Sequence, residues 1–575
     1  MSAAGFVGRV GGLAVALGVG AAAFNGAVAW ADSSGPGNSS THASSTHSAS
    51  SAGSAAGPAK KAAPKRTRAT ASVRAQSITP VATASAAAST GTSTPDAPVA
   101  PADSALEVAA LAYSRRDSGL SARPTAASSP APEVSVQAAA AVGPALIMGA
   151  SGHPIPTPTY IQSVMNLYIH GPYPDALPFQ LDTPEGLYPI TGVKSLPLNV
   201  SVQQGLDILG AQVLKEWVAG NHPVVFGYSQ SSIISSLFMA QLPADQRDDI
   251  DFVLVGNEMN PRGGLLSRFP GLNLPSLGIN FGGATPVGNY NLTNYTLAYD
   301  GFADFPRYPL NFLSVLNAGL GIIFVHTQYA NLTPEDINSA ILLNSSEPTE
   351  KYYIIQHPDL PLLEPLRLIP VIGNPIADLL QPALSVIVNL GYGDPEYGWS
   401  NDGNANEQQP FGFLPAPEMW GKAARMFVDG IGQGIEDFAA DISPGGIMSR
   451  ELAALKPPTP GPLTLPTPTG LIPFLQNSIN DVAYNISNSS AALYAALLPT
   501  ADLANAVVTM LPAYAVYVFL EGIQQALSGD VINGLVNAIG RPLAASVGLV
   551  TTAGLIEALV LLQAVQGFLG QETDV

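Results

Sequence analysis

The sequence predicts an α/β fold with a doubly wound, mostly parallel sheet, preceded by a disordered tether and followed by a helical C-terminal region. Three observations lead to this fold class. Between residues 141 and 392, apolar strand-like runs alternate with helical patterns. The residues before this part are mostly Ala, Ser, Thr and Pro, and residues 393–575 are apolar and helical in pattern. Strands that are apolar throughout, alternating with helices, predict parallel strands covered on both faces.

Residues 1–31 have the pattern of a secretory signal peptide. Arg9 closes a short basic start, residues 10–28 are apolar and rich in Gly and Ala, and Ala29-Trp30-Ala31 fits the small-x-small cleavage rule. We therefore predict cleavage after Ala31 and a protein that is secreted or associated with the cell envelope. Because the apolar run is long, an uncleaved membrane anchor is the alternative.

Residues 32–140 predict a disordered tether, because this composition buries too little apolar surface to offset the entropy of the chain. The whole chain has a formal net charge of −19, and the part after residue 140 is more acidic still. Such a surface repels phosphates, so we expect no nucleic-acid partner. The chain has no cysteine, which excludes disulfides and thiolate metal sites.

The elements that build the sheet can be placed from their hydrophobic periods. In chain order they are a strand at 145–148 with a turn at 149–152, an amphipathic helix at 202–217, a strand at 224–226, a helix at 232–242, and strands at 251–255 and 294–299.

The pentapeptide Gly227-Tyr228-Ser229-Gln230-Ser231 lies between a predicted strand and a predicted helix. A serine at the apex of such a turn is typical of a nucleophile elbow, which needs small residues two positions before and after the serine. Gly227 and Ser231 meet that need. An elbow holds the hydroxyl clear of its own backbone, so we predict that Ser229 is a nucleophile.

A serine nucleophile needs a base and an oxyanion hole. In α/β-hydrolases the acid and then the histidine follow the serine along the chain, so only His326 and His357 qualify. We favour His326, which follows the apolar run 320–325, and keep His357 as the alternative. For the oxyanion hole we predict the backbone N–H of Gln230 and a second donor at Ser151.

The acid should follow the strand at 294–299. The turn 299–306 contains two aspartates, Asp300 and Asp304, and spacing alone leaves both open. The segment 257–291 has no clear period, and long connections of this kind are often functional covers. We predict a cover over an acyl pocket, built from Leu265, Leu266, Phe269, Leu272 and Leu274.

Four segments together resemble the PE-PPE domain of mycobacterial proteins, a cutinase-like serine hydrolase family with an α/β-hydrolase-like fold. They are MGASGHPIPTPTYIQSVMNLYI, GYSQSS, YDGFADFPRYPLN and NAGLGIIFVHTQY. The resemblance implies that the domain spans residues 141–392, that Asp304 is the acid and that His326 is the base. Cutinases hold the acid loop with a disulfide. This chain has none, so packing of Phe305, Tyr308, Pro306 and Pro309 would have to hold Asp304.

These residues predict an exported serine esterase or lipase that acts on acyl esters, with a lipid or other acyl ester as its substrate. No cofactor or metal is expected, because the sequence contains neither a metal-ligand spacing such as H-E-x-x-H nor a phosphate-binding loop. Two alternatives remain: a structural or interaction protein of the cell envelope with a non-catalytic hydrolase fold, and an acyltransferase.

The C-terminal region predicts one or two helices at 411–447, a proline-rich connector at 457–468 and mostly apolar helix at 470–570. Residues 545–569 approach membrane-span length, but Glu557 and Gln563 interrupt the run. We therefore predict a buried hairpin or a set of interface-binding helices, with peripheral contact to a membrane or the cell envelope. The sequence makes no prediction of the oligomeric state.

Overall fold

The computed structural model describes residues 141–454 and 471–568. The predicted signal peptide, the tether and the proline-rich connector lie outside the described residues. The strands are β1 (Ala141–Ile147), β2 (Pro178–Gln180), β3 (Asn221–Tyr228), β4 (Asp251–Val255), β5 (Asn273–Leu274), β6 (Ile279–Asn280), β7 (Asn291–Leu297), β8 (Ile341–Leu342) and β9 (Glu350–Ile355).

The α-helices within the described residues form two groups. Those up to residue 390 are α1 (Pro158–Val164), α2 (Leu198–Val218), α3 (Gln230–Gln241), α4 (Leu265–Arg268), α5 (Phe312–Phe324), α6 (Pro334–Asn338), α7 (Glu364–Arg367) and α8 (Gly373–Leu390). The later ones are α9 (Pro417–Ile442), α10 (Ile447–Ala454), α11 (Leu471–Asn505), α12 (Leu511–Leu527) and α13 (Val531–Phe568).

One seven-stranded sheet organises the first group, in the order β2-β1-β3-β4-β7-β9-β8. Neighbouring strands are parallel, except that β8 pairs with β9 in the antiparallel sense at one edge. Strands β5 and β6 form a separate antiparallel pair. The predicted α/β class with a mostly parallel sheet is confirmed.

The two central strands bury side chains on both faces of the sheet. Val225 and Leu254 belong to the core cluster that includes apolar residues of α2 and α3. Phe226 and Val253 belong to a second cluster that includes Val164 at the end of α1. Successive side chains of a strand point to opposite faces, so an unbroken apolar run requires cover on both sides. Each fully buried large side chain contributes about 1.5 to 3 kcal/mol.

The predicted elements are present, with shifted ends. Strand β4 has the predicted bounds. Strand β7 stops at Leu297, two residues earlier than predicted, because Tyr299 has a positive φ of 68° and turns the chain. Strand β3 begins three residues before the apolar run 224–226 and continues to Tyr228. It therefore delivers the next residue, Ser229, to the carboxyl edge of the sheet.

The segment 257–291 contains α4, β5 and β6 rather than irregular chain alone. Leu265, Leu266, Phe269 and Leu272 are buried in the main core cluster. That cluster also includes apolar residues of α12 and α13, such as Tyr514 and Leu549. These leucines and the phenylalanine therefore fill the core beneath the C-terminal helices, and their role as a cover over an acyl pocket stays a prediction.

The C-terminal helices pack onto the sheet-containing part. Helix α13 passes so close to α5 that a Cβ added at Gly319 would lie 2.0 Å from the Leu555 side chain. The Tyr514 hydroxyl of α12 donates to the carbonyl of Pro270 at 3.3 Å. By length and composition alone, three stretches of the described residues would suffice to cross a membrane: Phe312–Asn331, Leu475–Leu527 and Val531–Gln566.

Candidate active site

Ser229 occupies a strained turn between β3 and α3. Its φ of 59° and ψ of −125° lie in a region that side-chain-bearing residues rarely adopt, at a cost of about 1 to 3 kcal/mol. A Cβ at Gly227 would lie 2.7 Å from the carbonyl oxygen of Ser231, so glycine is required there. The Ser231 hydroxyl accepts from the Tyr228 N–H at 2.7 Å and donates to the Gly149 carbonyl at 2.6 Å. These contacts fix the elbow against the turn that follows β1.

The imidazole of His326 lies beside the serine. Its Nε2 is 2.8 Å from the Ser229 Oγ. His326 comes two residues after the end of α5, and the Tyr228 hydroxyl donates to its carbonyl oxygen at 2.5 Å. The ring of Phe302 contacts the imidazole edge to face, with centroids 4.8 Å apart. The alternative histidine, His357, instead places its Nδ1 2.8 Å from the carbonyl of Asp359.

Asp300, and not Asp304, faces the histidine. Both carboxylate oxygens of Asp300 lie 2.9 Å from His326 Nδ1. The carboxylate also accepts from the Tyr329 hydroxyl at 2.7 Å and from the Phe302 N–H at 2.9 Å. This geometry corrects the assignment that the family resemblance implied, because Asp304 makes no hydrogen bond to His326.

Asp304 lies on the other side of the same turn. Its Oδ2 accepts from the Tyr299 N–H at 3.0 Å, and its own N–H donates to the Asp300 carbonyl at 2.6 Å. Burial raises the pKa of Asp304 well above its ordinary value, and the Tyr299 N–H and the nearby Arg268 oppose that rise. These hydrogen bonds hold the turn in place. Phe305, one of the residues predicted to hold Asp304 in place of a disulfide, has its ring 5.6 Å from that of Phe269.

The two residues predicted for the oxyanion hole border the elbow. Gln230 is the first residue of α3. Its N–H therefore has no carbonyl within the helix to which it can donate. Its side chain turns away, since Nε2 donates to the Ser201 hydroxyl at 2.8 Å. Ser151 lies in the turn that Ser231 anchors, and its buried Oγ has no hydrogen-bond partner within the described residues. Their role as oxyanion donors stays a prediction.

Sequence reasoning missed a third acid, Glu258. Its Oε1 is 3.1 Å from Ser229 Oγ, and its Oε2 is buried with no hydrogen-bond partner within 141–454 and 471–568. Only 5% of the residue is exposed. Its position in the sequence could have indicated that it lies near Ser229. Glu258 comes three residues after β4, and side chains at the carboxyl ends of neighbouring parallel strands meet at one edge of the sheet.

Burial dominates the electrostatics of this site. Ser229 is 2% exposed, Asp300 is 0% exposed and His326 is 6% exposed. Burial lowers the pKa of His326, but the charge and hydrogen bond of Asp300 outweigh it and, with Glu258, hold the pKa above 6.5. Burial raises the pKa of Glu258 to about 7 against the opposing attraction of His326. Burial also raises the pKa of Glu185 to about 8.

The arrangement has the chemistry of an acyl-transfer site. A hydroxyl lies within hydrogen-bond reach of an imidazole, and a carboxylate fixes the far side of that ring. For the residues that the structure describes, no group of three or more His, Asp or Glu side chains is placed to hold a metal ion.

Comparison with known proteins identifies the family. The model of the PE-PPE domain matches residues 174–393. The PPE family protein PPE28 of Mycobacterium tuberculosis (strain ATCC 25618 / H37Rv) is 47% identical over 447 residues, which cover 75% of this chain and 67% of that protein. This chain belongs to the PE-PPE domain family. The resemblance predicted from the four sequence segments is thereby confirmed.

Two further relatives of this PE-PPE protein, from the same M. tuberculosis strain, carry functional names. Esterase PE16 is 45% identical over 256 residues, 43% of this chain and 48% of that protein. Diacyltrehalose acyltransferase Chp2 is a more distant relative, 29% identical over 187 residues, 30% of this chain and 51% of that protein. The chain thus matches about half the length of each. No solved structure gives a match.

Proposed function

We propose that this PE-PPE protein is a serine esterase or lipase that hydrolyses acyl esters through Ser229, His326 and Asp300. One observation carries the proposal. At the apex of a strained turn, the Ser229 hydroxyl lies 2.8 Å from His326 Nε2, and Asp300 lies 2.9 Å from the opposite ring nitrogen. The relative named Esterase PE16 supports an ester substrate.

Acylation begins when His326 Nε2 takes the proton of the Ser229 hydroxyl as Oγ attacks the ester carbonyl carbon. Asp300 fixes the ring with Nδ1–H toward itself and stabilises the imidazolium that forms. The proton then passes from Nε2 to the leaving alcohol, and the acyl group stays on Oγ. In deacylation, His326 takes a proton from water, the resulting hydroxide attacks the acyl carbon, and Oγ regains its proton from Nε2.

Negative charge develops on the former carbonyl oxygen in both steps. The free N–H of Gln230 at the start of α3 is suited to receive it, and the Gly149–Ser151 turn, fixed by Ser231, would supply the second donor at Ser151. Loss of one such donor typically lowers turnover on the order of a hundredfold or more.

The first prediction concerns Ser229→Ala. A fluorophosphonate probe should label the wild-type protein covalently at Ser229, and nitrophenyl esters should be hydrolysed. In Ser229→Ala the labelling should vanish, and kcat should fall on the order of a millionfold, because the residues of a triad act as a unit. Intact-protein mass and product release measure the two effects.

Ser235→Ala is the matched control. Ser235 is also a buried serine of α3, but its hydroxyl donates within the helix to the Ser231 carbonyl at 2.8 Å. This variant should still be labelled. A wild-type protein that neither reacts nor hydrolyses any ester would instead favour the non-catalytic envelope protein.

An acyltransferase is the second candidate, because the relative Chp2 carries that name. The same acyl-enzyme would then pass its acyl group to an alcohol in place of water. Product analysis with a glycolipid alcohol in the assay separates the two. Free acid as the dominant product supports the hydrolase, and a new ester supports the transferase.

We also propose export, with cleavage after Ala31. Protein recovered from the culture medium should then begin at Asp32, and a chain that retains residues 1–31 in the cell membrane would contradict cleavage. The mature protein would meet its acyl esters at or outside the cell envelope.

Contact with a lipid surface is a further proposal, supported by large apolar side chains that α11, α12 and α13 leave exposed. Single exposed apolar residues are ordinary, but contiguous patches beyond a few hundred Å² typically mark binding surfaces. Among the most exposed are Ile479, Leu497, Leu527, Ile532 and Ile539, together with Val508 in the segment that joins α11 to α12.

The second prediction tests this surface by flotation with phosphatidylcholine vesicles. The wild-type protein should float with the vesicles, and the double variant Ile532→Glu, Ile539→Glu should float severalfold less, because each carboxylate resists transfer into an apolar layer. The control is Val218→Glu, at an equally exposed valine at the end of α2. Equal flotation of the double variant and the wild type would contradict the proposal.

A further inference from the structure

The carboxyl of Glu258 touches the nucleophilic oxygen, yet the mechanism above does not use it. Its Oε1 lies 3.1 Å from Ser229 Oγ, and its Oε2 is buried with no hydrogen-bond partner within the described residues. A buried polar atom without a partner is unusual in a native protein and needs a reason.

The number of protons in the cluster defines the role of Glu258. Because His326 Nδ1 faces the Asp300 carboxylate, it carries a hydrogen, and the neutral ring then accepts at Nε2. Nε2 receives the one proton of the Ser229 hydroxyl. An ionised Glu258 would instead accept that proton, because the hydroxyl can also donate to Oε1 at 3.1 Å. With the serine proton directed at Nε2, the contact between Oγ and Glu258 needs a proton from Glu258, since two acceptors would otherwise face each other.

We propose that Glu258 is a further catalytic residue of this PE-PPE protein, which in its protonated form donates a hydrogen bond to Ser229 Oγ. The inference rests on the acyl-transfer function proposed above. The donated bond leaves the serine proton directed at His326. It also stabilises Oγ when that oxygen becomes the leaving group in deacylation.

The proton of Glu258 is not consumed in the cycle. In acylation the serine proton moves to His326 Nε2 and then to the leaving alcohol, while the Oγ–acyl bond forms and the bond to the alcohol breaks. In deacylation water gives one proton to Nε2, and Oγ takes it back as the Oγ–acyl bond breaks. The Glu258 proton stays on its carboxyl throughout.

The surroundings of Glu258 favour its protonated form. The titratable groups that face it are His326, Asp300, Glu185 and Tyr228. Burial raises the pKa of Glu258 to about 7, and repulsion by Asp300 adds to this rise. Burial and the charge of Glu258 raise the pKa of the nearby Glu185 to about 8, so Glu185 is largely neutral where Glu258 titrates. The opposing influences are the attraction of His326 and the hydrogen bonds to the carboxylate.

A bell-shaped dependence of activity on pH follows. The reactive arrangement has Glu258 protonated and His326 neutral. Addition of one proton at low pH produces the imidazolium, which cannot act as a base. Removal of one proton at high pH produces a Glu258 carboxylate, which repels charge on Oγ. The two limbs belong to the coupled pair, and the alkaline limb should lie near pH 7.

The third prediction is tested with Glu258→Gln, whose amide donates to Oγ but does not titrate. Between about pH 5 and about pH 9, kcat/KM of the wild type should rise and then fall. Glu258→Gln should keep the acid limb and lose the alkaline one. Glu258→Leu, which removes the donor, should lower kcat/KM on the order of 10- to 100-fold.

Glu350→Gln is the matched control. Glu350 is also buried, and burial likewise raises its pKa. It lies at the start of β9, at the amino ends of the parallel strands and so away from Ser229, and it accepts from the Gly288 N–H at 2.8 Å. This variant should keep both limbs. An alkaline limb that persists in Glu258→Gln, or is absent from the wild type, would overturn the inference.

Infrared spectroscopy separates this inference from the proposed function. A protonated-carboxyl band present in the wild type and absent from Glu258→Gln, lost as the pH rises through about 7, would report the Glu258 proton without any substrate. Ester hydrolysis by the wild type without that band overturns the role of Glu258. The band without hydrolysis by the wild type overturns the proposed function instead. Circular dichroism checks that each variant is folded.

Discussion

The turn at residues 299–305 lies between two buried polar clusters. The Ser229 cluster contains Ser229, Glu258, Asp300 and His326, and the Arg268 cluster contains Arg268, Tyr299, Asp304 and Ser400. Each has one of the two aspartates, which are 0% and 3% exposed. Each also pairs its aspartate with a nearby basic side chain, and burial shifts pKa values in both.

The clusters differ in whether all of their buried polar atoms have hydrogen-bond partners. The guanidinium of Arg268 donates to the Phe305 carbonyl at 3.0 Å, the Gln409 carbonyl at 2.7 Å and the Ser400 hydroxyl at 3.0 Å. In the Ser229 cluster, Glu258 Oε2 has no partner within the described residues. Backbone strain does not separate the clusters, because Ser229 and Tyr299 both have a positive φ, of 59° and 68°.

Burial and a shifted pKa therefore do not by themselves mark a reactive site in this protein. Structural charge networks also shift pKa values, whereas a buried polar atom with spare hydrogen-bonding capacity is typical of a place where a ligand or a proton must be received. On this comparison, we propose that the Ser229 cluster carries the chemistry and that the Arg268 cluster stabilises the turn.

The fourth prediction sharpens the comparison with the same substitution in each cluster. Asp300→Asn should lower kcat/KM on the order of 10⁴-fold, because an amide no longer fixes the imidazole in the form that accepts at Nε2. Asp304→Asn should change kcat/KM less than about tenfold, since the amide oxygen still accepts from the Tyr299 N–H. Steady-state hydrolysis of a nitrophenyl ester measures both. The comparison fails if Asp304→Asn proves the more damaging variant.

Much of the fold followed from local patterns in the sequence. Strands β3 and β4 are apolar on both faces. That local pattern alone predicts a parallel sheet with both faces covered. The elbow is also local, since Gly227 and Ser231 are needed within two residues of Ser229. Chain order then limited the base to two histidines, and the favoured one, His326, lies beside Ser229.

Local sequence patterns could not decide which aspartate faces His326. Asp300 and Asp304 share one turn, and their directions depend on the positive φ of Tyr299 and on the hydrogen bond from the Asp304 N–H to the Asp300 carbonyl. Arg268, which lies near Asp304, is more than thirty positions away in the sequence. Spacing along the chain does not report side-chain direction and left both aspartates open, and the family resemblance then selected the one that does not face His326.

Glu258 and the packing of the C-terminal helices were missed for a related reason. Glu258 comes 29 residues after Ser229, in a segment with no hydrophobic period, and only the parallel pairing of β3 with β4 brings the two together. Composition predicted helices after residue 470, but it did not reveal that α12 and α13 share a core with Phe269.

The fifth prediction concerns stability and has the smallest expected effect. Asp304→Ala leaves the buried Tyr299 N–H without an acceptor, so the free energy of unfolding should fall by about 1 to 3 kcal/mol. Asp304→Asn keeps an acceptor and, because burial raises the pKa of Asp304, resembles the neutral acid, so it should lose much less. Urea unfolding followed by circular dichroism measures the difference. Equal losses in the two variants would mean that the charge of Asp304, rather than its hydrogen bond to Tyr299, stabilises the Arg268 cluster.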